Sequence, residues 1–523
     1  MTHTYSHSFG LLACAAAASF IASGGAAMAS ITISGGTTTN MSCSSGVCSA
    51  TASKAVLNAA SVEAMLAAGD LTIETGTKTT DIIVASKLTW SNASTLELSA
   101  KSSIVVNAVV TAKGAGGMTL TTGKGGGLSF GTKGSIDFRK TTSALSINGV
   151  AYELVGTLPD LITSVADSPS GAVALTANYD AKPDGIYAHS PVSAEFTGIF
   201  EGLGHTISNL TITDTSADVG VGLFQYVYPG GVLENLHLTN ANVTTMNATE
   251  VATLVGVTAG AVSGVTVTGS VAVGAGQGKS AIAAGMVGDV ESSKSFTGTI
   301  SGASANTTVM LTGGGTGGMV GGLVGRNDGG MIMASGAAGS VTGDYNVIIG
   351  GLAGSSSTGS VISESYSTAT VSTGDPSGLT FGEVGGLVGS NGGTIENCYE
   401  TGAAGGGGGV WAGGLLGAVT SGSMVENSYA TGAITGFTDD GNNADLGGVV
   451  GNNSGSGSFV DTYWDTSTSG VTMGAGFGTQ AGTGETTAEL AAGLPAGFSS
   501  KVWEEKASVL GGLPYLKANP PAR

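Results

Sequence analysis

One phrase recurs along the chain and limits what the chain can become. VGLF ends at Phe224, ATLVG at Gly256, AAGMVG at Gly288 and VGGLVG at Gly325. IGGLAG then ends at Gly354, VGGLVG at Gly389, AGGLLG at Gly417 and LGGVVG at Gly451. Successive ends lie 32, 32, 37, 29, 35, 28 and 34 residues apart. A sustained period of about 32 residues marks a repeat architecture. One such unit cannot bury its apolar face alone and must seal it against a near copy.

The units agree beyond the phrase itself. SNGGTIENCYETG follows Gly389, AVTSGSMVENSYATG follows Gly417 and SSSTGSVISESYSTATV follows Gly354. Short apolar–polar alternations broken by Gly, Ser and Asn read as strand, turn and strand. Stacked units would pair strand on strand at a spacing of about 4.8 Å. The expectation is an all-β, right-handed parallel β-helix, a solenoid with small N- and C-terminal caps. Tyr366, Tyr399, Tyr429 and Tyr463 should then superpose along the axis, and Leu323, Leu352, Leu387 and Leu415 should line the interior. Asn397 and Asn427 should form a polar ladder at a turn. Separate sandwich domains need about 100 residues each, and propeller blades about 40–45, so neither matches the period. Helical spacing is expected only at Ser53–Ala68 and near Thr486–Ala492.

Composition fits tight winding. Gly contributes 92 of 523 residues, and only 10% of residues are charged while 41% are hydrophobic. A chain this apolar is not a disordered polar segment. The net charge of −19 excludes a basic nucleic-acid surface.

Phe9–Ala22 is an apolar run, followed by SGGAAMAS with small residues at Ala27 and Ala29. Residues 1–29 read as a signal peptide cut after Ala29, although no Lys or Arg precedes the run. No later segment is apolar enough to predict a transmembrane anchor. Cys43 and Cys48, in CSSGVC, are candidates for a local disulfide after export. Cys398 remains single and is expected to be structural.

A search for chemistry finds little. His189, His205 and His237 match no zinc spacing, and no nucleophile elbow or P-loop occurs. No cofactor is expected. Asp439, Asp440 and Asp445 in FTDDGNNAD are weak calcium candidates, and Asp439 with Asp440 is the pair to test for polysaccharide cleavage. Glu364, Glu396 and Glu426 fall at similar repeat positions and suggest a surface stripe.

The unit VGGLVG…GG-x-I-x-N-x-Y-x-T-G resembles the GLUG repeat of bacterial surface proteins, a group that includes filamentous-haemagglutinin-like adhesins. FTGIFEGLGHTISNLTI at 196–212 is similar to the lead-in of such repeats, and YWDTSTSG at 463–470, with LPYL at 513–516, to their close. Residues 81–155 resemble filamentous-haemagglutinin-type coils. The resemblance covers roughly residues 70–523. NPNL, NPNG and H-E-x-x-H are absent.

The resemblance implies a secreted or cell-surface adhesin-like protein without enzymatic activity, displaying its lateral faces to a host or neighbouring cell surface, matrix or glycan. The alternative is a carbohydrate-active enzyme, a polysaccharide lyase or glycosidase, on the same scaffold. A flat threonine array for ice or mineral is disfavoured by the uneven spacing. The expected organisation is a cap at 30–80, haemagglutinin-like coils at 81–190, the repeat body at 191–465 and a closing cap at 466–523. In that cap Trp503 and Tyr515 would cover the last coil.

Overall fold

The computed structural model describes residues 29–521 except 218, 275–279, 314–316, 345, 374–381, 437 and 440–441. At 438, 439, 442 and 443 it describes the backbone alone. The expected leader, at 1–28, lies outside the described residues.

The protein is all-β and rich in long parallel sheets. Each repeat contributes one strand to each of two regular sheets and several to a third. In the repeat that begins at 383, Glu383–Gly385 lies in the first sheet and Val388–Asn391 in the second. Thr394–Glu396, Tyr399–Glu400 and Ala404–Gly406 lie in the third. Every one of these strands pairs in parallel with its counterpart one repeat later. Parallel pairing of this kind places equivalent residues about 4.8 Å apart. The uneven period is absorbed between strands: Val271 pairs with Val309, 38 residues on, while Val243 pairs with Val271, 28 residues on.

The repeated phrase is a corner. Gly318–Gly321 leaves the first sheet and Val324–Asp328 enters the second. A Cβ on Gly321 would lie 1.7 Å from the Val324 carbonyl oxygen, and one on Gly322 would lie 2.1 Å from the Gly351 oxygen of the next repeat. No side chain fits at either position, which explains the paired glycines. The leucine that follows is fully buried at 323, 352, 387 and 415. These leucines are joined in order by backbone hydrogen bonds of 2.8–3.1 Å.

A second corner lies in the third sheet. Asn235, Gly264, Gly302, Ala334, Glu364, Asn397, Asn427 and Asp461 all take positive φ, between 44° and 60°. Asn397 and Asn427 thus supply left-handed backbone, which asparagine tolerates better than most residues. The expected side-chain ladder between them is not what the structure shows. Asn397 instead accepts a 3.1 Å hydrogen bond from the Trp503 indole N–H. Glu364 shares this corner with Asn397 and so does not align with Glu396 and Glu426, which are register partners.

The tyrosines stand on the outer side of the third sheet. Tyr366 and Tyr399 stack at 5.0 Å and Tyr399 and Tyr429 at 5.5 Å, while Tyr463 follows in register. Trp503 and Phe498 pack on this row. The Tyr429 and Tyr463 hydroxyls donate to the Pro514 and Ala496 carbonyls. Trp503 therefore covers a flank rather than the last coil, because a row of ring faces is a large apolar surface that must leave water. Tyr515 hydrogen-bonds Glu504.

At the other end, Ser30–Ser34 pairs in parallel with both Lys54–Asn58 and Asp81–Val84. Residues 30–80 are thus continuous with the sheet that follows. Helix α1 is Ala59–Ala68, shorter than expected, because residues 54–58 are strand and the Asn58 side chain caps the helix at Ser61 N–H, 3.1 Å away. Helix α2, Leu158–Asp167, was not read from the sequence, although Thr157, Pro159 and Asp160 are start signals. Helix α3, Thr487–Leu490, carries a capping box from Thr486 and Glu489. One buried core runs from Ile31 to Leu154 and also takes in Ala174 and Leu203. The other runs from Val155 to Ala481.

The corner makes a sharp test. Left-handed backbone costs a residue with a Cβ about 1–2 kcal/mol, and glycine loses about 0.5–1 kcal/mol more entropy on folding. Ala334→Gly should therefore stabilise the fold by about 0.5–1 kcal/mol, read as a higher denaturant midpoint. A lower midpoint would contradict the left-handed corner.

Candidate functional site: a polar lateral face and an acid pair

The third sheet presents a flat outer face. One outward row is Thr211, Asn242, Ser270, Thr308, Ser340 and Thr370, in register from strand to strand. A parallel row is Thr213, Thr244, Ala272, Met310, Thr342 and Ser372. Between them Ile212, Val243, Val271, Val309, Val341 and Val371 point inward and are buried. The two-residue alternation of a strand produces both rows from one pattern. Neither row contains a charged residue. The sequence spacing argued against such regularity, yet the register keeps it, because insertions fall outside these strands.

The face ends in a groove of about 340 Å³ lined by Lys182, Gly185, Ile186, Asn209, Thr211, Asn240 and Asn242. One wall is the segment after Asp180. Its 3-10 turn, Lys182–Asp184, ends at Gly185 with φ 82°. Tyr187 then joins the sheet beside Ile212. Asp184 braces the wall, since the hydroxyls of Tyr179 and Tyr187 donate to its two oxygens at 2.6 and 2.9 Å. Burial and that carboxylate push the Tyr179 phenol up to about 12.

The floor is a true amide ladder. Asn240 donates to Asn209 at 2.7 Å, and Asn209 donates to Asp180 at 2.8 Å. The Asn209 amide and the Lys182 backbone N–H hold the Asp180 carboxyl below its usual value. Ser270 donates to Asn242 at 2.8 Å. Asn209 and Asn240 have φ of 59° and 52°. Sequence reading placed the asparagine ladder at 397 and 427. The available signal was an Asn two residues before the Thr211/Asn242 row in both SNLTI and TNANV. A second groove of about 290 Å³ opens on the same face where the outward row shrinks at Gly405 and Gly406.

An acid pair forms where sequence reading did not look. Glu201 and Glu234 are register partners on adjacent strands. Glu201 is sealed in, 1% exposed. It accepts from the Leu203 N–H at 2.7 Å and the Asn235 amide at 2.9 Å. Burial, then the neighbouring Glu234 charge, hold Glu201 well above the carboxylate range, and burial raises Glu234 as well. The two hydrogen-bond each other, so the pair shares a proton. Burial and these two acids also raise the Tyr152 phenol.

The other candidates are placed as follows. Nε2 of His205 lies 2.9 Å from the Ile136 carbonyl and donates to it, tying two distant strands, and burial lowers its pKa. His237 meets Thr266 at 2.6 Å, and His189 lies 3.4 Å from Asp214. Cys43 and Cys48 are disulfide-bonded across a hairpin, and Cys398 is a buried free thiol. Asp440 lies outside the described residues, as does the Asp439 side chain; Asp445 is half-buried in a strand. Among the described residues no three His, Cys, Asp or Glu are grouped to hold a metal. Among them, too, no helix is long and apolar enough to cross a membrane.

No family model matches the chain. A stretch of 76 residues, 14% of the chain, is 49% identical to Halomucin of Haloquadratum walsbyi, and the match spans 1% of that protein's length. A candidate immunoglobulin A1 protease of known structure, from Bacteroides ovatus, aligns at a TM-score of 0.33 and 17% identity, over 71% of this chain and 93% of that one.

The acid pair sets a pH dependence. Both acids hold their protons more tightly folded than unfolded, so their contribution is complete below about pH 4.5 and is lost as pH rises through the folded values. Stability of the wild type should therefore fall with rising pH by up to about 1.4 kcal/mol per pH unit for each linked proton. Glu234→Gln should flatten that fall in unfolding titrations. An unchanged slope would show that the pair does not share a proton.

Proposed function

We propose that the chain is a secreted or cell-surface, adhesin-like binding protein, a right-handed parallel β-helix of the GLUG-repeat kind. The observation that carries this reading is the uncharged polar face. Two register-matched rows of Thr, Ser and Asn, broken only by Ala272 and Met310, stand on a buried aliphatic row. Such a face is rigid, because the strands beneath it are fixed by main-chain hydrogen bonds and packing. It stays well hydrated yet offers many weak donors and acceptors to an extended partner, which suits adhesion rather than turnover. The strand that starts at Ser30 is consistent with a mature chain that begins there. The partners of such a protein are a host or neighbouring cell surface, its matrix or its glycans.

One observation favours a second reading, a carbohydrate-active enzyme, namely the pair Glu201 and Glu234. Retaining glycosidases hold two carboxyls about 5–5.5 Å apart with sugar between them. Here the two are in direct contact and Glu201 is sealed, so the binding reading is preferred. Turnover of a polysaccharide that Glu234→Gln or Asp439→Asn abolished would reverse the preference.

Cell fractionation and binding test the main reading together. The protein should appear in the medium or be cut by protease added to intact cells, with residues 1–29 missing by mass spectrometry. Purified protein should bind cells or matrix. Retention in the cytoplasm with an intact N-terminus, or no binding to any surface, would overturn it.

A further inference from the structure

We infer that the groove between the 181–187 wall and the Asn209–Asn240 ladder is a binding subsite for a neutral glycan, a hexose or N-acetylhexosamine unit of a longer chain. This rests on the surface-binding reading and deepens it.

Size comes first. A groove of about 340 Å³ falls in the range of small-ligand sites, roughly 300–1,000 Å³. Its chemistry is that of a polyol partner. Sugars present dense hydroxyls on one edge and C–H faces on the other. The groove answers with amides at Asn209, Asn240 and Asn242, a hydroxyl at Thr211 and one exposed aliphatic side chain, Ile186, 68% exposed. An isoleucine this exposed at the lip of a polar groove has no core to serve.

The polar groups are aimed in advance. The Asp180–Asn209–Asn240 hydrogen bonds fix the amide planes, and Ser270 fixes Asn242. Preorganised groups bind with less lost entropy. A wall pinned by two tyrosines on Asp184 keeps its shape without a ligand.

Charge selects among glycans. Lys182 is the one amine at the groove, and the Asp180 carboxylate lies two residues away and is held ionised. The site is locally balanced within a chain of net charge −19, so a sulfated or uronic-acid chain meets repulsion without a compensating cluster. A protein partner is a poorer fit, because protein hot spots centre on buried aromatic or arginine anchors in apolar pockets, and this groove has a single aliphatic side chain.

The ligand has room to extend. From Thr211 and Asn242 the outward row continues through Ser270, Thr308, Ser340 and Thr370 at about 4.8 Å per strand, and Thr370 lines the second groove. An extended polysaccharide lying along this row would engage both grooves.

The test uses the whole purified protein and defined probes: gluco-, manno- and N-acetylchito-oligosaccharides, with a sulfated oligosaccharide as the anionic comparison. Asn209→Gly and Asn240→Gly remove the amides, and glycine keeps the left-handed backbone at both positions, so folding is preserved; circular dichroism verifies this. Calorimetric titration should show binding to at least one neutral series and weaker or no binding to the sulfated probe. Each glycine variant should weaken that binding about tenfold, the effect of losing one well-made hydrogen bond. Neutral binding that both variants retain would place the site elsewhere and overturn the proposal. Preference for the sulfated probe would also overturn it. A protein that adheres to cells but binds no neutral probe would refute this groove while leaving the surface-binding reading intact. A protein that adheres to nothing would remove both.

Discussion

Everything in this molecule depends on one constraint: equivalent residues of successive repeats must sit one hydrogen-bonded strand apart. Main-chain pairing alone does not choose a register, since a parallel strand could slide by two residues and keep its faces. The corners choose it. At Gly321, Gly350, Gly385, Gly413 and Gly447 a backbone oxygen occupies the place of a Cβ, and the glycine beside each is pressed by the next repeat's oxygen. At the other corner a left-handed residue recurs from Asn235 to Asp461. With both corners fixed, the strands between them cannot slide. Insertions are driven into the connections, which is why a period that wanders by several residues still yields straight side-chain rows.

Those rows have different fates on the two sides of a strand. Inward rows are aliphatic and close the core. Outward rows meet water, and their composition decides what they do. Where tyrosines stack, at 366, 399 and 429, the chain supplies its own cover by returning Phe498 and Trp503 along the flank. Where Thr, Ser and Asn repeat, nothing apolar has to be hidden and the face stays open to solvent. At Glu201 and Glu234 the same logic aligns two acids, and burial turns their repulsion into a shared proton rather than two charges.

Much of the architecture was legible in the sequence because repetition is a one-dimensional signal. The leucines at 323, 352, 387 and 415 and the tyrosine row follow from matched positions. The functional face was harder to read. Its regularity is a property of register, and the repeat spacing in sequence, which includes the insertions, conceals it. Asn209 and Asn240 looked like any turn residues until the corner showed their backbone and the ladder showed their partners. Glu201 and Glu234, one repeat apart, could have been paired by the same alignment that paired the tyrosines. Trp503 was misplaced for another reason: nothing local says that a segment will fold back on a row more than 100 residues earlier.

Register is the claim on which the fold, the face and the groove all stand, and cross-linking measures it directly. Thr308 and Ser340 are outward partners on adjacent strands, and cysteines there would have Cα atoms about 4.8 Å apart, within the span a disulfide accepts. Under mild oxidation Thr308→Cys with Ser340→Cys should bridge readily within one chain. Thr308→Cys with Thr342→Cys, offset by two residues and roughly 8 Å apart, should not. Equal bridging in both, or bridging only in the second, would contradict the stacking described for this protein.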